Sequence, residues 1–273
     1  MKKVKVEKGI LINILTRTSN RPIGFINCHK SIIKQTYKNV RHIVSYENDI
    51  DLKYLDFNDI EKVKVNKYKG DILTHPKGYL HAPYNLYCNE LLDKVDEGWV
   101  LFLDDDDCLL HNKVLIEVVN EIKKCNNDTM LIWKMRYPNG KVLPLKKHFE
   151  NKIIEINNLG SPCVIFHSKY KNITKWDNFK AADFRYINTL FDKIPNKKWI
   201  EKVYIQINNF GDYGKRNDID VNFFKIFNKT FIWYFIPKYH YTIFGNYLFH
   251  IDTYRRPVNR FARKLKKRLN FSN

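Results

Sequence analysis

The chain has 273 residues, of which 44% are hydrophobic, and this is enough for one large domain or two small ones with a sizeable core. Its formal net charge of +19 predicts an anionic partner, for which nucleic acid, acidic lipid and phosphorylated small molecules all qualify. The five cysteines form no CxxC pair, which argues against a disulfide framework or zinc knuckle and for a reducing compartment. Residues 1–8 show no signal-peptide pattern and no apolar run is long enough to span a bilayer, so we expect a cytoplasmic protein.

Over the first 110 residues, apolar runs alternate with helical patterns in the order typical of βαβ units. The pattern predicts strands at 10–15, 41–45 and 63–65 and helices at 23–34 and 83–95. Pro83 fits the first turn of its helix, because that position needs no backbone N–H. This half of the chain is therefore expected to form a parallel sheet with helices between its strands.

The next predicted strand, residues 99–103, is apolar throughout and ends in four consecutive aspartates, residues 104–107. Like charges at contact spacing repel by roughly 1 kcal/mol per pair in water and by more where water is excluded. Four adjacent carboxylates therefore need a compensating charge. A divalent cation is the simplest one, and open α/β folds bind their ligands at the C-terminal edge of the sheet.

A helix cap and a calcium loop are the two alternatives to a metal site at the acidic run. The aspartates could cap the helix predicted at residues 112–124, although a cap needs only one or two acids and gains about 1 kcal/mol. An EF-hand calcium loop starting at Asp104 would need Gly and Glu at its sixth and twelfth positions, where the chain has Leu109 and Leu115. The calcium loop is therefore excluded, whereas the helix cap stays open.

Beyond residue 110 the pattern changes. Strands predicted at 130–136 and 141–145 flank Pro138, Asn139 and Gly140, which is a hairpin signal. Further strands are predicted at 162–166 and 203–207, with a helix at 181–191. A mixed half is therefore expected to pack onto the parallel half.

Three segments occur in an informative order: TRTSNRP (16–22) after the first strand, SIIKQTYKN (31–39) and FLDDDD (102–107). Together they resemble the family 2 glycosyltransferases of the GT-A fold. The resemblance covers residues 10–110 and is thinner over 120–220. It implies a GT-A domain, an α/β fold, over residues 1–220, with a nucleotide-sugar-binding half (1–110) and an acceptor-binding half (111–220). An aromatic and basic helical extension would follow at 221–273.

The resemblance implies a donor site at the acidic run. Such enzymes bind a nucleotide-diphosphate sugar at this sheet edge and use a DxD motif to hold Mg²⁺ or Mn²⁺ on the pyrophosphate. Asp104 and Asp106 would form this motif and ligate the metal, and Asp105 would flank them at the donor. The metal would act as a Lewis acid that offsets the charge building on the leaving diphosphate.

The loop after the first strand is expected to lie beneath the nucleotide. It begins at Thr16, and Arg17 and Arg21 could form charge-assisted hydrogen bonds to phosphate. Either arginine could instead be a solvated surface residue.

The end of the second strand departs from the family pattern. The family usually has two aspartates there, one of which binds the base, whereas this chain has Tyr46 and Glu47. Glu47 or Asp49 could substitute, and Tyr46 could stack on the base. A UDP-sugar is therefore the expected donor from the family alone.

Transfer to a hydroxyl needs a base, whose help is worth about 10²–10⁴ in rate. The family places an acid at the start of a helix after the mixed strands, and Asp183 matches by position, although it could merely cap that helix. One base driving direct displacement predicts inversion at the anomeric carbon. Trp176 and Asp177 could form a wall for a glycan or lipid-linked acceptor, although a lone Trp is more often a core residue.

Two C-terminal segments carry further predictions. Residues 208–218 have the composition of a lid or of a plain surface loop, and as a lid Lys215 and Arg216 would reach the diphosphate. Residues 255–270 have the pattern of a basic amphipathic helix. Such a helix could bind the anionic inner face of a membrane peripherally or dock on the enzyme's own body.

Two further functions are compatible with the sequence. A metal-dependent nuclease or phosphotransferase also uses clustered carboxylates, but no second acidic cluster supplies the other side of a two-metal site. A non-enzymatic nucleic-acid-binding module would explain the positive charge and leave the aspartates unexplained. Nucleic acid is therefore not the partner that we expect.

Overall fold

The computed structural model describes residues 9–137 and 140–207. The strands are β1 (Ile12–Thr18), β2 (Val40–Tyr46), β3 (Ile60–Lys64), β4 (Trp99–Phe102), β5 (Cys108–Leu109), β6 (Thr129–Arg136), β7 (Val142–Leu143), β8 (Val164–His167) and β9 (Asn196–Gln206). The α-helices are α1 (Pro22–Ile33), α2 (Tyr87–Asp93), α3 (Val114–Ile122), α4 (Lys146–Glu150) and α5 (Ala182–Lys193).

The described strands form one mixed sheet in the order β3-β2-β1-β4-β8-β6-β9-β5, and β7 pairs with β6. The first four strands in this order are parallel to one another, and β8 then runs antiparallel to β4. Because β1 lies between β2 and β4, the C-terminal ends of these three strands meet at one edge of the sheet. The loops that follow them are therefore brought together in space.

Most predicted elements are confirmed, including the buried strand before the aspartates and the hairpin of β6 and β7. The predicted helix at 83–95 is a single 3-10 turn, Pro83–Leu86, followed by α2. Four features were not predicted: the continuation of β1 to Thr18, the start of β9 at Asn196, the short strand β5 and the short helix α4. Side chains at the end of β1 are polar, so the apolar pattern stops while the backbone pairing with β2 continues to Tyr46.

The buried core and the state of the cysteines agree with the predictions from the sequence. β4 is fully buried, and the largest cluster of buried apolar residues extends across the whole sheet. The five cysteines all lie in the described part of the chain and are free thiols, as the absence of a disulfide pattern predicted. Over the same residues, no helix combines the length and apolarity needed to cross a bilayer. The predicted lid (208–218) and C-terminal extension (221–273) lie outside the described residues.

Candidate active site

A cavity of about 690 Å³ opens at the sheet edge where β1, β2 and β4 end. Its walls come from five stretches of chain: the end of β1 with the loop into α1, the residue after β2, the start of α2 with the turn before it, the loop after β4, and the segment leading into α5. The lining residues are Arg17 to Arg21, Glu47, Tyr84, Asn85, Tyr87, Asp104 to Asp106, Trp176 and Lys180 to Asp183.

The acidic run follows β4 directly, and its members differ in exposure. The Asp104 side chain is 35% exposed, whereas Asp105, Asp106 and Asp107 are buried. The first three line the cavity, and Asp107 does not. The run therefore presents one accessible carboxylate and two buried ones to a ligand in the cavity.

Residues of the β1–α1 loop hold the two buried carboxylates in place. The Thr18 hydroxyl donates a hydrogen bond of 2.8 Å to Asp105 Oδ2. Nη1 of Arg21 donates to Asp105 Oδ1 at 2.9 Å and to Asp106 Oδ2 at 3.0 Å. Burial raises the pKa of Asp105, and the Arg21 guanidinium opposes this shift. Both oxygens of Asp105 are thus engaged by the protein itself.

One carboxylate oxygen of Asp106 has no hydrogen-bond partner among the described residues. This atom, Oδ1, is buried, and burial raises the pKa of Asp106 despite the nearby Arg21. The described residues contain no group of three His, Cys, Asp or Glu side chains that could hold an ion alone. Mg²⁺ at nucleotide sites commonly takes one or two carboxylates together with phosphate oxygens. Asp106 and its neighbour Asp104 therefore fit a metal that is held jointly with a diphosphate.

Arg17 also lines the cavity, beside the accessible carboxylate of Asp104. Its Nε is 3.5 Å from Asp104 Oδ1, and its Nη1 donates a short hydrogen bond to Asn85 Oδ1. The guanidinium carbon is 5.0 Å from the ring centroid of Tyr84 and 5.9 Å from that of Trp176. An arginine held between two aromatic faces and an amide is positioned rather than freely solvated.

Asn85 connects this arginine to the segment that leads into α5. Its side-chain amide donates a hydrogen bond of 2.7 Å to the carbonyl of Phe179, which lies just before α5. Asn85 itself is 5% exposed. Arg17 and the segment leading into α5 are therefore joined through a single buried side chain.

Asp183 is in the first turn of α5, half-buried, and lines the cavity. The residue at the helix N-cap, Ala181, has a left-handed backbone with φ 61°. Burial raises the pKa of Asp183, and the negative charge of Asp104 raises it further, while the Phe184 N–H and Arg17 work in the opposite direction. A carboxylate with a raised pKa in a cavity is suited to accept a proton.

Glu47 lines the cavity directly after β2. Its Oε2 accepts a hydrogen bond of 2.9 Å from the Tyr87 hydroxyl, and Lys67 Nζ is 4.0 Å from its Oε1. Tyr46 does not line the cavity, because its side chain is buried in a smaller apolar cluster with Val44 and others. The structure therefore places Glu47, and not Tyr46, at the cavity, where it could contact the nucleobase of a donor.

Thr16 was predicted at the donor but does not line the cavity. Its side chain is fully buried inside β1, and its Oγ1 is 3.0 Å from Nε2 of His42. Because β1 extends to Thr18, Thr16 lies two residues inside the edge of the sheet. Thr18 takes the position at the cavity that was expected for Thr16.

Two further predicted residues also lie outside the lining. Asp49 is 67% exposed and pairs with Lys64 at the outer strand, with 2.7 Å between its Oδ1 and the Lys64 Nζ. Asp177 is engaged by Arg185, whose Nη2 donates to Asp177 Oδ1 at 2.6 Å. Lys215 and Arg216 fall outside the described residues.

Among the remaining lining residues, Trp176 was predicted, whereas Thr18, Tyr84 and Asn85 were not named as site residues. Trp176 lines the cavity as expected, but it is 3% exposed and stacks on Tyr186 with 5.3 Å between ring centroids, so it is also a core residue. Thr18 lies inside the TRTSNRP segment, which was a usable signal. Tyr84 and Asn85 belong to the turn before α2 and carry no local sequence signal for a site.

Comparison with solved structures identifies the fold. Residues 1–349 of S. aureus TarS match with a TM-score of 0.56 and 15% identity over 91% of this chain and 77% of that chain. The mannosyltransferase PcManGT from Pyrobaculum calidifontis, in complex with GDP-Man and Mn²⁺, matches with a TM-score of 0.50 and 11% identity over 73% of this chain and 57% of that one. Both are GT-A glycosyltransferases. The chain has the GT-A fold.

The extent of these matches is limited. The chain spans 36% of the longer S. aureus TarS structure, at 16% identity and a TM-score of 0.54 over 72% of this chain. It spans 60% of TarS 1–349 in the complex with UDP, at 17% identity, a TM-score of 0.55 and 72% coverage of this chain. No family model and no curated protein matches the sequence.

Proposed function

We propose that the protein is a metal-dependent, inverting, family 2-like glycosyltransferase. It would move a sugar from a nucleotide-diphosphate sugar, with a UDP-sugar favoured, to a hydroxyl of a glycan, glycolipid or protein. The observation that carries this proposal is the cavity at the edge of the GT-A sheet, which is lined both by Asp104 to Asp106 and by Asp183. The TarS complexes with UDP and UDP-GlcNAc and the PcManGT complex with GDP-Man support a nucleotide-sugar donor.

On the donor side, Glu47 is proposed to contact the nucleobase. Arg17 and Arg21 are proposed to bring positive charge to the diphosphate. Asp104 and Asp106 would hold Mn²⁺ or Mg²⁺, and PcManGT was solved with Mn²⁺. When bound, the metal supplies Lewis-acid stabilisation of the leaving diphosphate. Arg21 would stay paired with Asp105 and with Oδ2 of Asp106, which leaves Asp106 Oδ1 without a hydrogen-bond partner among the described residues.

On the acceptor side, Asp183 is proposed as the base. An alcohol becomes an effective nucleophile when its proton is removed during attack, and a carboxylate within reach supplies this help. The small side chains of Ala181 and Ala182 leave room beside Asp183 for the acceptor. A single displacement assisted by this one base inverts the configuration at the anomeric carbon.

The alternative of a two-metal nuclease finds no support in the described residues. Beyond the acidic run, they supply no cluster of metal-binding side chains for a second ion. We also propose that the protein is a cytoplasmic enzyme whose residues 255–270 attach to the inner face of a membrane. These residues lie outside the described chain.

The deciding experiment is a thermal-shift panel of UDP, GDP, dTDP and CMP, each with and without Mn²⁺. A ligand at 100 times its Kd stabilises the native state by about 2.7 kcal/mol, which should raise Tm by roughly 5–10 °C for a domain of this size. We expect a manganese-dependent shift with one nucleotide, UDP first. If a cooperatively melting protein responded to none of the four, the donor site would be wrong.

A further inference from the structure

Exposed apolar side chains are concentrated on the long loop between β3 and α2. Ile72 is 87% exposed, Leu80 72% and Leu73 45%. Isolated exposed apolar residues are ordinary, but several together mark a surface that contacts something other than water.

The loop is held firmly at its base, so these side chains are not exposed through lack of structure. The ring centroids of His75 and Phe179 are 4.8 Å apart, and the Arg185 guanidinium carbon lies 4.6 Å from the ring centroid of Tyr79. The backbone N–H of Lys180 donates to the carbonyl of Leu80 at 2.8 Å. His75 and Tyr79 thus pack against Phe179 and Arg185 and anchor the loop, while the three aliphatic side chains are exposed.

The anchor of the loop is the segment that leads to Asp183. The N–H of Ala82 donates to the carbonyl of Asn178 at 2.6 Å, and His81 and Phe179 form an isolated antiparallel bridge. Because residues 180–183 line the cavity, the exposed loop borders the side of the cavity on which Asp183 lies.

The charge of the loop favours one kind of partner. Residues 66–80 contain Lys67, Lys69 and Lys77 against a single acid, Asp71, and all four are exposed. Protruding aliphatic side chains with lysines around them suit the boundary between anionic headgroups and acyl chains, where both kinds of group are favoured. A protein partner would be better served by a groove or by exposed aromatic anchors, and here the aromatic side chains of residues 66–80 are half-buried.

We propose that residues 66–80 dock the protein on an anionic membrane surface, with Ile72, Leu73 and Leu80 entering the interface and the lysines at the headgroups. Membrane docking by this loop would hold the Asp183 side of the cavity close to the bilayer. If the proposed transferase activity holds, the acceptor is then a lipid-linked molecule carried by that bilayer.

The test is vesicle binding by the full chain, with no nucleotide present. The triple variant Ile72→Ser, Leu73→Ser, Leu80→Ser is compared with a matched control, Ile50→Ser, Ile153→Ser, whose residues are 58% and 51% exposed elsewhere on the surface. Vesicles of phosphatidylcholine with phosphatidylglycerol are set against phosphatidylcholine alone at near-physiological salt. We expect the triple variant to bind anionic vesicles at least about 10-fold more weakly than the native chain, and the control to bind within about 2-fold of it.

Three results would overturn the proposal. The first is native-like vesicle binding by the triple variant. The second is a Tm of the triple variant several degrees below that of the control, which would show that these side chains pack against protein. The third is a loss of turnover on a water-soluble acceptor that is as large as the loss of vesicle binding, which would make the loop an acceptor subsite. Because binding is measured without nucleotide, a negative thermal-shift panel would sink the transferase proposal and leave this one standing.

Discussion

Asp105 and Asp106 are adjacent carboxylates with different roles in the structure. Asp105 accepts hydrogen bonds at both oxygens, from Thr18 and Arg21. Asp106 shares Arg21 and keeps Oδ1 buried without a hydrogen-bond partner in the described chain. A buried polar atom without a partner costs about 1–3 kcal/mol, and more when it is charged. A bound cation would recover that energy, so metal binding at Asp106 should stabilise the folded protein.

We therefore predict that Asp106→Asn removes metal function and leaves the fold intact. Turnover should fall by at least about 10²-fold, because the stabilisation of developing charge is lost. The Tm of the free protein should change little, because Asp106 accepts at Oδ2 only, from Arg21, and the amide oxygen of asparagine can accept the same hydrogen bond. The manganese-dependent shift with nucleotide should disappear. The control Asp105→Asn should lower Tm instead, because both oxygens of Asp105 accept hydrogen bonds, from Thr18 and Arg21, and asparagine offers only one acceptor oxygen; a D106N protein that kept the manganese-dependent shift would refute the assignment.

Asp183 makes a prediction about pH. Its pKa is raised, first by burial and then by Asp104, so the carboxylate becomes protonated, and unable to act as a base, at a higher pH than an ordinary aspartate. The acidic limb of kcat/KM should therefore lie above the usual aspartate range. Asp183→Asn should lower kcat by about 10²–10⁴ and abolish that limb, while the thermal shift with donor nucleotide persists. Near-normal transfer by D183N would mean that another group is the base.

At the scale of elements, two loops at the cavity carry backbone strain. Asn20, between β1 and α1, and Ala181, before α5, have φ of 55° and 61° and both line the cavity. The left-handed region costs a residue other than glycine roughly 1–2 kcal/mol, and such strain tends to be retained at functional sites. Asn20 is held there by its N–H bond of 2.8 Å to Asp51 Oδ1, which also accepts from the Tyr54 hydroxyl.

Ala181→Gly tests whether the strained turn before α5 serves catalysis. Glycine adopts positive φ without steric penalty, so the variant should be more stable by up to about 1 kcal/mol, or roughly 2–4 °C in Tm. Its turnover should fall, because the segment that positions Asp183 gains freedom. Lys152→Gly is the matched control: Lys152 has φ 56° and does not line the cavity, so its variant should gain stability with unchanged turnover. Equal activity in both variants would argue against a catalytic role for the strain.

How far the sequence predicts this site depends on whether the signal is local. The apolar run before the aspartates is local, and it placed Asp104 and Asp106 at the cavity. Thr16 was misplaced because the polar end of β1 breaks the apolar pattern while its backbone pairing continues. The link from Arg17 to Asn85 joins residues 68 positions apart, so no sequence window contains it.

At the scale of the whole molecule, a chain of polar side chains that includes two buried histidines links β1, β2 and α1. Thr16 Oγ1 lies 3.0 Å from His42 Nε2, the Nδ1 atoms of His42 and His29 are 3.1 Å apart, and His29 Nε2 lies 3.2 Å from Asp59 Oδ1. Phe25 stacks on both imidazole rings. Burial lowers the pKa of His42 to about 3, with His29 adding to the shift, and burial also lowers the pKa of His29.

This pair should make the fold sensitive to acid. An unfolded histidine binds its proton near pH 6.5, whereas the folded pKa values lie below that. The unfolded state therefore takes up protons first, and folding stability should fall from about pH 6.5 downward, until the folded pKa is reached. Each histidine contributes up to about 1.4 kcal/mol per pH unit in this window.

Thermal melts between pH 7.5 and 5 would measure this effect in the native chain and in His42→Gln. The variant loses hydrogen bonds and should melt lower at pH 7.5, but its Tm should depend less on pH, because one of the two titrating groups is gone. His111→Gln is the control, because it makes the same substitution at an exposed histidine outside this chain of polar side chains. If H42Q and the native chain lost Tm in parallel as the pH fell, acid sensitivity would have to come from the high positive charge of the whole molecule.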